Sequence, residues 1–241
     1  HLWPHMSILW NDTQDGYYSE SFDGVTFSKY AVCPEKRRVG GSEQYLIRPI
    51  GVYAHEFGHT LGLPDLYDRS EEDSSEGVGE WCLMGSGSWL GNDGDTPSHM
   101  SAWCKSKLGW VDPVVLEMMP GDTLNYEALF SDDGFLEIPN VVENEGAIYK
   151  IYSDAYQWNE YFLLENRQLT GFDSQQNGSG LVIYHIDENQ FFGMNNLFGA
   201  GINNDNYTHK LVDVEEADGN SDLDSSENRG DSGDPYPGLS N

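Results

Sequence analysis

Two histidines stand four residues apart with a glutamate beside the first, in the run His55-Glu56-Phe57-Gly58-His59. Side chains four residues apart share one face of a helix, so both imidazoles can reach one metal ion. Zinc accepts such nitrogens, and a catalytic zinc site has three protein ligands and one position open to water. The spacing therefore predicts a hydrolytic zinc site on a helix.

A third ligand is expected just beyond that helix. Gly62 permits a left-handed turn, which brings the following segment back beneath the metal and presents the Asp65 carboxylate. Asp68 is the alternative ligand. Glu56 lies beside a ligand yet is turned toward the water, so we predict that it is the general base that takes a proton as water attacks a carbonyl carbon.

Two helices are predicted around this motif. The first covers residues 51–63, with Gly62 near its end and Pro64 just beyond it. Its bulk comes from apolar and aromatic side chains, namely Val52, Tyr53, Phe57, Leu61 and Leu63. The second is expected to begin with Thr96 as the cap and Pro97 as the first helical residue, and to end at Gly109. Met100, Cys104 and Leu108 fall four apart within it.

The pattern changes after Trp110 to short apolar or alternating runs, which predict strands at 147–152, 161–165, 181–186 and 210–214. Acidic and Ser-bearing residues without periodicity predict a surface loop at 69–79, and residues 81–89 are expected to form turns. The sequence thus predicts an α+β protein with a β-rich C-terminal half.

Composition restricts the classes of partner. The 241 residues carry a formal net charge of -29, with 12 basic and 41 acidic residues, and such a charge repels nucleic acid and anionic membrane surfaces. No run of 18 apolar residues predicts a membrane span. We therefore expect neither nucleic acid partners nor a membrane span, and we interpret the acidity as that of a protein that works outside the cell.

Three cysteines, Cys33, Cys82 and Cys104, leave three single pairings open, of which we favour Cys82 with Cys104. None lies in a CxxC pair, so a thiolate zinc site is not expected.

A cluster of carboxylates near the C-terminus could supply oxygen ligands for structural calcium. A solvated acidic face remains the alternative, since the spacing does not match an EF-hand loop. The residues are Asp213, Glu215, Glu216, Asp218, Asp222 and Asp224.

Two longer runs resemble one known family. They are His55-Glu-Phe-Gly-His-Thr-Leu-Gly-Leu-Pro-Asp-Leu-Tyr-Asp68 and Trp81-Cys-Leu-Met-Gly-Ser-Gly-Ser-Trp89. Together with similar stretches at 97–110, 161–168, 180–187 and 233–238, they resemble the immune inhibitor A (M6) family of secreted bacterial metallopeptidases, which are metzincin-like zincins.

That resemblance implies a secreted, bacterial zinc endopeptidase that cleaves proteins or peptides. Met84 would be the Met-turn residue, an apolar floor under the zinc, and Asp65 would replace the histidine that metzincins usually have as third ligand. Ser86 stands where some metzincins have a tyrosine, so no oxyanion stabiliser is named and the substrate-binding residues stay unassigned.

The resemblance also implies a domain arrangement. Residues 1–110 would form the zincin core and residues 111–241 a β-rich portion of the same catalytic region. Only 54 residues precede His55, so we expect the upstream strands of the zincin sheet to be missing from this segment. The alternative function is a zincin-fold binding or adhesion module with weak or no activity, and a zinc hydrolase acting on a substrate other than protein also stays open.

Overall fold

The computed structural model of the protein describes residues 3–11, 16–17, 19–40, 43–70, 74–118, 138–141, 147–153, 159–191, 203–206 and 208–238. Helices and sheets both occur, which confirms the α+β class. None of the helices in these ranges combines the length and the apolar character needed to cross a membrane.

Short strands precede the first helix. In chain order they are β1 (His5–Ile8), β2 (Trp10–Asn11), β3 (Gly16–Tyr17), β4 (Glu20–Phe22), β5 (Val25–Phe27), β6 (Lys29–Val32), β7 (Lys36–Arg38) and β8 (Tyr45–Ile47). They pair antiparallel as β1 with β6, β2 with β3, β4 with β5 and β7 with β8. The β1–β6 ribbon lies against the helix that follows.

Helix α1 (Ile50–Leu61) agrees with the predicted helix at 51–63 but ends two residues earlier. It ends because Gly62 adopts φ 106°, a left-handed conformation that glycine tolerates, and donates its N–H to the His59 carbonyl at 3.0 Å. Phe57, one of the bulky residues of this helix, is 60% exposed, because the buried face of α1 carries mainly glycine and the two histidines.

The predicted helix beginning at Pro97 is also wrong at its start. A short turn, α2 (Leu90–Asp93), precedes this region, and α3 (Ala102–Lys107) begins five residues after Pro97. Ser101 is the cap, and its hydroxyl accepts the Cys104 N–H. Residues before it cannot join the helix because their backbone groups have other partners: the Ser98 N–H donates to the Gly87 carbonyl and the His99 N–H to Asp173.

The C-terminal half forms a larger sheet, as the alternating runs predict. Its strands are β9 (Val114–Met118), β10 (Ile148–Ser153), β11 (Glu160–Arg167), β12 (Gly180–Asp187) and β13 (Val212–Val214). They lie in the order β13-β12-β11-β10-β9, with β9 and β10 parallel and the other neighbours antiparallel.

One apolar cluster joins the helical region to this sheet. Trp81 and Trp103 from the first 110 residues pack in the same buried cluster as Ile148, Tyr184 and Leu223. Burial of such large side chains stabilises the fold by roughly 1.5–3 kcal/mol for each side chain. The predicted division at 110/111 stays a prediction, since the apolar core crosses that position.

The cysteines are thiols. Cys82 and Cys104, the favoured pair, are both buried, and their Sγ atoms lie 3.8 Å apart. Cys33 is half-buried and stands apart in the strand region.

Charged groups lie inside this core, on the face of β11 that meets α3. Arg167 is fully buried and donates two hydrogen bonds of 2.7 Å to Asp173 and one of 2.8 Å to Glu165. Lys105 on α3 donates to the other Glu165 oxygen. Burial alone would raise the pKa of Glu165, but the two cations hold it at about 2. Two positive and two negative charges therefore compensate one another.

The buried network predicts a large effect for one substitution. Arg167→Leu leaves Glu165 and Asp173 without their guanidinium, so we expect the free energy of unfolding to fall by about 3–5 kcal/mol. Arg229→Leu is the matched control, because Arg229 is 57% exposed in its ion pair with Glu76 and should cost about 1 kcal/mol or less. Urea denaturation measures both, and equal losses would contradict a compensated buried network.

Candidate metal centre

Helix α1 places the two histidines of the motif on its buried face. The rings of His55 and His59 lie with centroids 4.7 Å apart and almost perpendicular, at 86°. Their Nε2 atoms lie 3.1 and 3.2 Å from one oxygen of Asp65. These three side chains, the predicted metal ligands, thus meet at one point, with ligand atoms within 4.8 Å of one another.

The turn at Gly62 brings Asp65 there. After the left-handed residue the Leu63 N–H donates to the Gly58 carbonyl at 3.2 Å, so the chain folds back along the end of α1. The Leu66 N–H then donates to the Met84 carbonyl at 2.9 Å, which holds the returning segment against residues 82–85. Asp65 lies between these two attachments.

Backbone carbonyls fix the orientation of both imidazoles. The Nδ1–H of His55 donates to the Leu83 carbonyl at 2.9 Å, and the Nδ1–H of His59 donates to the Leu63 carbonyl at 2.8 Å. A carbonyl can only accept, so each ring carries a proton on Nδ1 and directs Nε2 toward Asp65. Such partners behind a ligating histidine set its tautomer and its orientation.

The electrostatics of the three groups are coupled. Burial alone would raise the pKa of Asp65, but hydrogen bonds from His55 and His59 lower it well below its usual range. Burial alone would lower the pKa of His55, but Asp65 raises it. Without a metal, a proton on Nε2 of each histidine would donate a hydrogen bond to the Asp65 oxygen. A divalent cation could instead bind both Nε2 atoms and this oxygen at once. Two nitrogens and a carboxylate oxygen are a donor set that fits zinc.

Asp68, the alternative ligand, is held elsewhere. Its carboxylate accepts the N–H groups of Ser70 and Ser74, at 2.7 and 3.1 Å, and also the Ser74 hydroxyl. These hydrogen bonds lower the pKa of Asp68 although burial opposes them. The carboxylate that lies beside the Nε2 atoms of both histidines is therefore that of Asp65 and not that of Asp68.

Glu56 lies beside the three groups in a cleft. The cleft has a volume of about 320 Å³, and its lining includes Trp3, His55, Glu56, Tyr67 and Trp89. Burial raises the pKa of Glu56, while the neighbouring histidines oppose that rise. The predicted base therefore faces the same space as the first histidine.

Met84 packs under α1, directly beneath the motif. It is fully buried, and a Cβ placed on Gly58 would lie 2.5 Å from its sulfur. Only glycine at position 58 lets the thioether approach the helix this closely. The predicted Met-turn residue therefore lies under the helix between the two histidines.

Tyr67 is a site residue that the sequence reasoning missed. Its ring stacks on His55 with centroids 6.3 Å apart and an angle of 27°. Burial raises the pKa of Tyr67, and the nearby Asp65 carboxylate, with which it shares a hydrogen bond, raises it further. The sequence did contain a signal for Tyr67, because it lies only two residues beyond Asp65. A chain that folds back at Gly62 brings Asp65 and Tyr67 toward the helix together.

The C-terminal sheet reaches this centre through a line of hydrogen bonds. Asp173 accepts the His99 N–H at 2.8 Å, and the His99 carbonyl accepts the Leu83 N–H at 3.2 Å. The Leu83 carbonyl is the group to which His55 donates. Arg167, which holds Asp173, also donates to the Trp81 carbonyl at 3.2 Å. The buried charges thus determine where the carbonyl behind His55 lies, a role that the sequence pattern does not reveal.

Four of the six predicted calcium ligands fall into two separate groups. Glu216 and Asp218 meet Asp234, a residue outside the predicted set, whereas Asp213 and Asp224 pair with the buried Lys210. Burial and the nearby Asp234 raise the pKa of Glu216 to about 7. Burial raises the pKa of Asp234 to about 6, although the Trp81 indole N–H donates to it.

Comparisons with known proteins agree with the motif. The family model described as immune inhibitor A peptidase M6, catalytic domain, matches residues 9–111. Pre-pro-metalloprotease PrtV of Vibrio cholerae serotype O1 (strain M66-2) is 49% identical over 69 residues, which are 27% of this chain and 8% of that protein. Immune inhibitor A of Bacillus thuringiensis subsp. alesti is 44% identical over 62 residues, which are 24% of this chain and 9% of that protein.

The aligned part thus spans less than a tenth of the length of either relative. The Bacillus relative carries the name of the family model, and the Vibrio relative is named as a metalloprotease. Residues 9–111 of the chain are therefore similar to the catalytic domain of the immune inhibitor A peptidases of family M6.

Proposed function

We propose that this protein is a secreted zinc endopeptidase with a zincin-type, metzincin-like catalytic core. The observation that carries the proposal is the meeting of His55, His59 and Asp65 at one point, with Glu56 beside them in an open cleft. The match of residues 9–111 to an M6 peptidase model supports peptide bonds as the bonds cleaved, and the name of the Vibrio relative, a pre-pro-metalloprotease, agrees with a metal-dependent peptidase.

The three ligands would be His55, His59 and Asp65. When bound, zinc lowers the pKa of a coordinated water to about 7 and polarises the scissile carbonyl as a Lewis acid. The Nδ1–H bonds to Leu83 and Leu63 keep both Nε2 lone pairs directed at the ion. Met84 would be the apolar floor that packs against α1 without binding the ion.

Glu56 would be the general base. Its carboxylate takes a proton from the attacking water and then gives that proton to the leaving amine. Burial raises the pKa of Glu56 above its usual range, which makes the protonated intermediate state easier to reach. The adjacent histidines oppose this rise.

The substrate would be a protein or peptide that lies along the cleft beside α1. Trp3 and Trp89 provide exposed aromatic surface there, at 76% and 39% exposure, and Glu76 and Arg229 supply charges. The net charge of -29 agrees with work outside the cell and disfavours anionic partners. Residues 1–110 would form the zincin core, and residues 111–241 would be a β-rich part of the same catalytic region.

The base assignment predicts a separation of catalysis from metal binding. Glu56→Gln should retain zinc and lower kcat for casein or a peptide substrate by about 10²–10⁴-fold, because the amide cannot take the proton. Glu160→Gln is the control, since Glu160 lies on β11 and pairs with His185. Unchanged hydrolysis by Glu56→Gln would reject the mechanism.

The same assay distinguishes the rival functions. A binding or adhesion module would bind zinc and hydrolyse neither casein nor any member of a peptide library. A hydrolase acting on another substrate class would also leave peptides intact, and hydrolysis of non-peptide esters or amides that depends on Glu56 would reveal it.

Matched carboxylate variants test the third ligand. Asp65→Asn should weaken zinc binding at least about 100-fold, because even partners outside the coordination sphere change metal affinity by 10–100-fold. Asp68→Asn should leave the affinity unchanged, since Asp68 is held by Ser70 and Ser74. Competition with a chromophoric chelator measures both affinities, and circular dichroism checks the folding of each variant. The reverse order of effects would assign the metal to Asp68.

A structural calcium ion is a separate prediction, with Glu216, Asp218 and Asp234 as its oxygen ligands. In the folded protein the pKa of Glu216 is raised to about 7 and that of Asp234 to about 6. Folding therefore favours the protonated forms of these two groups. The stability they contribute is therefore lost as pH rises through about 6–7.

Millimolar calcium should accordingly raise the unfolding temperature at about pH 8 and have little effect at about pH 5, where Glu216 and Asp234 hold their protons. Sodium chloride at equal ionic strength is the control, and Glu216→Gln should weaken the calcium effect. An equal calcium effect at both pH values would contradict the assignment.

A further inference from the structure

Two buried cysteines belong to separate elements beside the metal centre. Cys82 directly follows the short 3₁₀ helix Gly79–Trp81 and precedes Leu83, whose carbonyl accepts the His55 Nδ1–H. Cys104 lies on α3, and both side chains are fully buried. Their Sγ atoms are 3.8 Å apart, so a movement of about 2 Å would bring them to bonding distance.

The surroundings distinguish the two sulfurs. The Cys82 sulfur accepts the N–H groups of Met84 and Ser101, each at 3.3 Å. Burial alone would raise the pKa of the Cys82 thiol, but hydrogen bonds from Cys104 and Ser101 lower it to about 6. Burial and the adjacent Cys82 raise the pKa of Cys104 well above its usual value. Of the two thiols, Cys82 therefore loses its proton more easily, and the thiolate is the reactive form in disulfide exchange.

We propose that Cys82 and Cys104 are a redox couple that closes to an intramolecular disulfide in an oxidising compartment and thereby fastens the segment 82–85 to α3. This segment carries the Leu83 carbonyl behind His55 and the Met84 side chain under α1. A bond between Cys82 and Cys104 therefore restrains the segment that holds the His55 ring and packs under α1. The inference does not depend on the substrate or on peptidase activity.

The reaction needs a disulfide oxidant, for which oxidised glutathione is the probe. The Cys82 thiolate attacks one glutathione sulfur, which forms a mixed disulfide and releases one glutathione thiolate. Cys104 gives up its proton, and its sulfur attacks the Cys82 sulfur, which releases the second thiolate. Two protein thiols are oxidised to one disulfide, and one glutathione disulfide is reduced to two thiols.

Mapping the thiols after refolding tests the proposal. The full chain is refolded from urea in oxidised or reduced glutathione, free thiols are alkylated, and digests are analysed by mass spectrometry. In the oxidised sample we expect a peptide pair joined through Cys82 and Cys104, with Cys33 alkylated. The same link should form in Cys33→Ser. Alkylated Cys82 and Cys104 in the oxidised sample, or a bond that includes Cys33, would overturn the proposal.

Stability and local exchange then test the restraint. In the Cys33→Ser background we expect oxidation to raise Tm by about 5–10 °C, given the 22-residue separation of the pair. Hydrogen exchange of peptides that contain residues 82–85 should slow in the oxidised form. The variant with both Cys82→Ser and Cys104→Ser is the control and should respond to neither oxidant nor reductant. If Tm and the hydrogen exchange rate of residues 82–85 were the same in the oxidised and the reduced protein with both cysteines intact, the proposed restraint would be rejected.

Discussion

Hydrogen bonds from two imidazoles to backbone carbonyls determine what this protein can do. His55 and His59 each donate Nδ1–H to a main-chain oxygen, of Leu83 and Leu63 respectively, so both Nε2 atoms are left to face Asp65. Three acceptor atoms that converge in a buried place require a proton or a cation, because their mutual repulsion is costly there. A side chain that rotates freely would not impose this requirement. The proposed metal centre thus depends on the position of two carbonyls as much as on the motif.

The rest of the fold holds those carbonyls in place. Leu63 is placed by the left-handed turn at Gly62, which is local to the helix. Leu83 is placed from farther away, because its N–H is bonded to His99, whose own N–H is held by Asp173. Asp173 is in turn fixed by Arg167 on β11. Through these hydrogen bonds, the sheet of the C-terminal half of the chain supports His55, a proposed metal ligand.

The parts of the structure that follow from local geometry could be predicted from the sequence. A helix places residues 55 and 59 on one face, and a glycine at position 62 permits the turn to Asp65, so the motif predicts its own arrangement. The start of α3 was mispredicted because Ser98 and His99 use their N–H groups in contacts with Gly87 and Asp173, which are distant in sequence. Asp234 was not predicted to lie beside Glu216 because the two residues are also distant in sequence. Alternating runs predicted the large strands, but not that β11 buries Glu165 and Arg167 together.

Histidine tautomers measured by NMR test the central claim most directly. Long-range ¹H–¹⁵N correlation spectra of the zinc-loaded protein, with ¹⁵N-labelled histidine, identify which ring nitrogen carries the proton. The account predicts that His55 and His59 both carry it on Nδ1, with Nε2 unprotonated and shifted by the metal. A proton on Nε2 of either ring, or two rings whose signals do not change when zinc is added, would contradict it.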